Sequence, residues 1–104
     1  MAASPVRVVI AGGGIAGVPL AYAVKEKLHG RAEVTLVGDG PDFHFVPANP
    51  WIALGLRSES DVTFALEPLL AARKIALRAA ALEEIDLEGS KLRLADGASL
   101  PYDY

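Results

Sequence analysis

Gly12, Gly14 and Gly17 stand in the run Gly12-Gly13-Gly14-Ile15-Ala16-Gly17, a G-x-G-x-x-G that follows directly on the apolar residues 6–11. At a strand-to-helix turn this spacing suits the pyrophosphate of a dinucleotide, which points to FAD or NAD. Gly12 permits the tight bend out of the strand. Gly14 lets phosphates approach the backbone, and Gly17 lets the following helix press on the sheet. The helix N-terminus adds unpaired N–H groups and a partial positive charge. A glycine turn that only packs helix on strand has the same composition, so the flanking elements must decide between the two.

Those elements have the required form. Val6 to Ala11 is apolar apart from Arg7, as in a strand buried on both faces of a parallel sheet. A helix is predicted from about Gly14 to Leu28, with Gly17, Ala21, Val24 and Leu28 on its sheet-facing side. Pro19 falls near its first turn, Lys25 and Lys27 favour its C-terminal dipole, and Gly30 is the expected stop. Glu33 to Val37 reads as a second strand, so residues 6–37 make one strand–helix–strand unit. Residues 38–50 have loop chemistry. A further helix is expected over Ala65 to Arg73, capped by Thr63 and with Pro68 in its opening turn, and then a strand over Ile75 to Ala80. From Ala81 to Tyr104 short strand-like runs alternate with turns at Glu88-Gly89-Ser90 and Asp96-Gly97, a β-meander. The fold class is therefore α/β: a short Rossmann-like parallel sheet over Val6–Ala80, followed by an antiparallel meander over Ala81–Tyr104.

Composition excludes several functions. The chain has 104 residues, enough for one small domain but not for an oxidoreductase with two nucleotide sites. Its 52% hydrophobic content marks a folded chain, and its net charge of −3 with scattered cations argues against nucleic-acid partners. With no cysteine there is no disulfide, thiolate nucleophile or zinc-finger site, and no catalytic residue is assigned. His29 and His44 share no ligand-like spacing and read as loop or surface residues rather than metal ligands. Met1 to Pro5 is too short and uncharged for a signal peptide, which implies synthesis in the cytoplasm.

One expected feature is displaced. An acidic residue should end the second strand to accept from a ribose hydroxyl. Gly38 occupies that place, and Asp39 follows it. Asp39 either serves the ribose from one position later or only forms the Gly-Asp-Gly-Pro turn. No arginine in this loop awaits a 2′-phosphate, so NADP is disfavoured.

The chain resembles the amino-terminal FAD-binding segment of the sulfide:quinone oxidoreductases, within the pyridine nucleotide–disulfide oxidoreductase superfamily. Three stretches carry the resemblance: VVIAGGGIAGVPLAY, FHFVPANPWIALG and LADGASLPYDY. The second, similar to a family F-x-F-x-P-x-N-P-W pattern, is the most specific. The resemblance implies that Gly12, Gly14 and Gly17, with the amides of Ile15 and Ala16, hold the FAD pyrophosphate. It sets Gly38 and Asp39 by the ribose, Ala80 and Ala81 at the adenine edge, and Pro47, Asn49, Pro50 and Trp51 along the route to the flavin ring. Trp51 would serve as well as a loop anchor. In such enzymes sulfide is oxidised at cysteines beside the flavin and electrons pass to a quinone, at sites absent from this sequence. The other readings are a flavocytochrome sulfide dehydrogenase flavoprotein, a type II NADH dehydrogenase and an NAD-binding Rossmann module.

The resemblance would continue into another core strand after Tyr104, so the chain is expected to be a fragment of a longer enzyme, one peripheral at the inner membrane. Alone it should be inactive and hold FAD weakly or not at all. Arg7 to Ala11 would then be an apolar edge strand, through which the fragment is expected to self-associate.

Overall fold

The computed structural model describes residues 4–104, so Met1–Ala3, on which most of the leader reading falls, lie outside the described residues. In chain order the elements are β1 (Val6–Ala11), α1 (Gly17–Leu28), β2 (Ala32–Gly38), β3 (Asp42–His44), α2 (Asn49–Ala53), β4 (Thr63–Ala65), α3 (Leu66–Ala72), β5 (Ala76–Ala79), β6 (Leu82–Asp86), β7 (Lys91–Leu94) and β8 (Ser99–Pro101). Strands β1, β2 and β5 form a parallel sheet in that order, with Val8 opposite Val34 and Thr35 opposite Ala76. Successive crossovers in one direction set α1 and α3 on the same face. The antiparallel meander β6-β7-β8 covers the other.

Strand alternation divides the core between these two faces. Ile10, Val34 and Leu36 turn toward Val18 and Ala21 of α1 and Leu66 and Leu70 of α3. Val37, with the half-buried Val9, turns toward Leu92 and Leu94 of the meander. The run Val6–Ala11, expected to be buried on both faces, packs on both but with only Ile10 buried, in an α/β fold with a Rossmann-like parallel sheet.

Several local expectations are corrected. Helix α1 starts at Gly17, not Gly14: the Gly14 and Ala16 carbonyls accept from Val18 (3.1 Å) and Leu20 (3.2 Å), but Pro19 has no N–H for the Ile15 carbonyl between them, so the regular ladder begins at Gly17. Its stop is not Gly30. His29 takes a positive φ (49°), and the end is held by side chains: Arg31 donates to the Lys27 and Leu28 carbonyls, Lys25 to Ala32 O. β2 is one residue longer at each end than expected, α3 spans Leu66–Ala72, and β5 begins after Ile75, which is buried at its entry. Pro68 does lie in the opening turn of α3. Thr63 does not cap that helix. It belongs to β4, and the residue before α3 is Ala65, which makes no side-chain cap.

The stretch 38–50 is not plain loop. β3 pairs antiparallel with β4, Phe43 opposite Phe64, with the rings stacked at 4.8 Å. Phe43 is buried in the helix-side core and anchors this hairpin, whereas Phe45 is exposed. In the meander the turns fall where expected, with Ser90 and Gly97 at positive φ (52° and 87°) and Gly89 N–H donating to Asp86.

The outer edge of β1 is less bare than the sequence suggested. Asp103 and Tyr104 N–H groups donate to Arg7 O (2.8 and 3.1 Å), and Val9 N–H donates to Tyr104 O (2.9 Å), the start of a parallel pairing. Asp103 also accepts from the Arg7 backbone N–H at 2.8 Å and pairs with its guanidinium at 3.1 Å. Only the Ile10–Ala11 end of that edge, beyond the Val9 N–H, lacks a strand neighbour among the described residues. No described helix is long and apolar enough to cross a membrane.

Candidate nucleotide-binding site

The glycine turn joins the C-terminal end of β1 to α1, where ligands of open parallel sheets bind. Gly12 has φ 126°, a conformation open to glycine and strained for other residues. A Cβ on Gly17 would overlap the Gly12 carbonyl oxygen and lie 2.8 Å from its carbonyl carbon. Gly14 faces open space, with nothing within 4 Å of the place a Cβ would take. The three motif glycines therefore divide the work as their spacing predicts: a bend, an open approach and a close helix contact.

The start of α1 is electrostatically open. Its N-cap residue, Ala16, makes no side-chain hydrogen bond, and no acidic residue lies in its first turn. Of the N–H groups at its start, that of Val18 is taken by the Gly14 carbonyl and Pro19 has none, and no side chain caps the others. Lys25 and Lys27 sit in the last turn, leaving the positive end of the helix dipole unopposed at the glycines.

Beside the turn lies a cleft of about 270 Å³. It gathers Gly12, Gly38, Asp39 and Ala81 from the predicted set, and adds Ala11, Val37 and Leu82, which the motif reading passed over. For Ala11 and Val37 the signal was positional: they lie opposite one another in register near the C-terminal ends of adjacent parallel strands. Ala80 instead packs against the meander-side core. Gly13, a variable position of the motif, crosses closely over β2, for its Cβ would stand 3.4 Å from Gly38 Cα and 3.6 Å from a Leu66 methyl.

Pro47, Asn49, Pro50 and Trp51 are not part of this cleft. They form a second cluster, with Pro47 in the 3-10 turn Val46–Ala48 and the other three opening α2. Trp51 is 53% exposed, and Asn49 Oδ1 lies 2.7 Å from His44 Nε2.

The sulfide-quinone reductase of Aquifex aeolicus (strain VF5) is 35% identical over 98 residues, 94% of this chain and 23% of the reductase. The X-ray structure of the Aquifex aeolicus sulfide:quinone oxidoreductase superposes with a TM-score of 0.88 over the same shares of the two chains. Over nearly all of its length the chain is similar in sequence and fold to about a quarter of that sulfide-quinone reductase. Putidaredoxin reductase, in its covalent complex with putidaredoxin, is 26% identical with a TM-score of 0.78, over 97% of this chain and 25% of that one. NDH2 from Plasmodium falciparum shares the fold, with a TM-score of 0.81 at 20% identity, over 96% of this chain and 21% of that one. This chain thus spans about a quarter of the length of each relative. No protein-family model matches it.

Proposed function

We propose that the chain is the FAD-holding portion of a longer flavin oxidoreductase, and that the whole enzyme oxidises sulfide and passes the electrons to a quinone. The observation that carries the first part is the uncapped, acid-free N-terminus of α1, set behind the glycine turn and beside the cleft. In this reading the Ile15 and Ala16 amides donate to pyrophosphate oxygens, while Gly14 leaves room for them. Asp39, exposed on the cleft wall, accepts from a ribose hydroxyl, and the backbone at Ala80 and Ala81 meets the adenine edge. Pro47, Asn49, Pro50 and Trp51 border the flavin end. Bound flavin would supply two-electron redox chemistry. The likeness to the Aquifex enzyme supports sulfide and quinone as substrates, handled by parts of such an enzyme outside these residues, as is any seat on the inner membrane.

With the flavin end walled by so few residues, the purified chain should be colourless or faintly yellow and bind added FAD weakly. Gly14→Ala tests the site. The new methyl meets open space and no positive φ, so stability should stay within about 0.5 kcal/mol of wild type in urea denaturation. The same methyl intrudes where phosphate must approach, so FAD titration should show binding weakened about tenfold, on the order of 1.4 kcal/mol. Equal FAD affinity in the variant would remove the turn from the site.

We also propose that two copies associate through the open Ile10–Ala11 end of β1. The Asp103 contact limits this association. Hydrogen bonds from the Arg7 side chain and backbone hold the Asp103 carboxyl below its usual pKa. With its folded pKa depressed, the contact is complete above the ordinary carboxylate value near ~4 and is lost as the pH falls through the lower folded value. At neutral pH, Asp103→Asn should mimic that loss, and size-exclusion chromatography with light scattering should show more dimer than in wild type. A dilute monomer in both proteins would refute the edge pairing.

A further inference from the structure

His44 joins three elements. It ends β3, its Nδ1 lies 2.9 Å from the hydroxyl of Thr63 on β4, and its Nε2 lies 2.7 Å from Oδ1 of Asn49, the first residue of α2. An amide oxygen only accepts, so Nε2 carries the proton, and in the neutral ring Nδ1 accepts from the Thr63 hydroxyl. The ring is thereby held from both sides, and its orientation is fixed by a partner on each of two other elements.

The helix it reaches has little else to seat it. α2 has five residues, none of them buried, and a helix so short has no stability of its own. Among the described residues, the His44–Asn49 bond is the one side-chain hydrogen bond between α2 and the β3–β4 hairpin. The hairpin itself is anchored, through buried Phe43 and its stacking on Phe64. A firm platform and a loosely held turn are thus connected by one imidazole.

We propose that His44 is a positioning residue, which seats the Asn49–Pro50–Trp51 turn on the hairpin by donating to Asn49 while Thr63 fixes the ring. Its effect on a cofactor rests on the reading above that this turn borders the flavin; the seating itself does not.

Trp51 is the single tryptophan, so its emission and its quenching by acrylamide report the seat with no cofactor present. The two amide replacements of His44 separate the two contacts. Asparagine places its amide where Nδ1 was, so His44→Asn keeps Thr63 and loses Asn49; glutamine reaches the Nε2 position, so His44→Gln keeps Asn49. His44→Asn should red-shift Trp51 emission and raise its quenching constant, and His44→Gln should restore both toward wild type. Asn49→Ala, at an exposed position, should reproduce His44→Asn, and the double variant should add nothing further. Far-UV circular dichroism confirms that each variant is folded. Identical behaviour of the two amide variants would overturn the proposal, since a ring that merely fills space is lost equally in both. FAD titration is read separately: His44→Asn should weaken binding about fivefold, as for the loss of one net hydrogen bond. If wild type binds no FAD, as a chain holding only part of the site can, the Trp51 result alone decides the seating. If wild type binds FAD and Trp51 ignores His44→Asn and Asn49→Ala, the seating fails alone.

Discussion

Gly17→Ala is expected to destabilise the chain by at least the ~1–3 kcal/mol typical of overpacking, and to abolish FAD binding in the same step. The methyl would overlap the Gly12 carbonyl oxygen, which is backbone and cannot rotate away as a side chain can. Gly12 is already held at φ 126°, and its N–H donates to Val37 O at 2.8 Å, so its peptide is fixed to β2. Relief must come from moving α1 away from the sheet, which opens the contact of Val18 and Ala21 with Ile10 and Leu36. A domain of this size has only ~5–15 kcal/mol of stability, so the loss is large on that scale. Thermal and urea denaturation followed by far-UV circular dichroism measure it. The contrast with Gly14→Ala gives the experiment its force: two glycines of one motif, one filling a packed contact and one facing empty space, should separate loss of fold from loss of ligand. If Gly17→Ala melted with wild type, the helix would not be seated on the turn as described.

That contrast also marks how far the sequence can be read. The parallel strands announced themselves because residues 6–11 and 32–38 pack against the helices on one face and the meander on the other, and carry mostly apolar runs. The meander turns were legible from the Gly89-Ser90 and Asp96-Gly97 compositions, with Gly97 at the positive φ that glycine accepts and Gly89 N–H donating to Asp86. The β3–β4 hairpin was not legible. Its strands are three residues long, and it depends on Phe43 meeting Phe64 across 20 intervening residues, a pairing with no local period. The Arg7–Asp103 contact links positions 96 residues apart for the same reason, and it turned an expected bare edge into a partly paired one. In the site, spacing specified the roles of Gly12, Gly14 and Gly17. It could not show that Gly13 crosses β2 at Gly38, because that approach depends on the sheet register. Nor could it show that His44 reaches Asn49, because α2 itself was unforeseen.

Leu66→Ala should cost about 2–5 kcal/mol and weaken FAD binding by more than the added unfolded fraction explains. Leu66 is 1% exposed and stands where three parts of the fold meet. It opens α3, its N–H donates to Pro41 O at 2.9 Å, and a methyl group of its side chain lies beneath Gly13. Truncation leaves a cavity under the glycine turn, so the backbone that must present its amides to phosphate loses its floor. Leu70→Ala is the control. Leu70 is fully buried in the same core cluster and should cost a similar amount, but it lies a full turn along α3 from Leu66, away from Gly13. Urea denaturation gives the stability of each variant, and FAD titration at a temperature where both are folded gives the affinity. Binding should fall in Leu66→Ala and stay near wild type in Leu70→Ala once the folded fraction is accounted for. Equal affinities in the two would mean that the turn holds its shape without Leu66, from Gly12, Gly17 and the β1–β2 ladder alone.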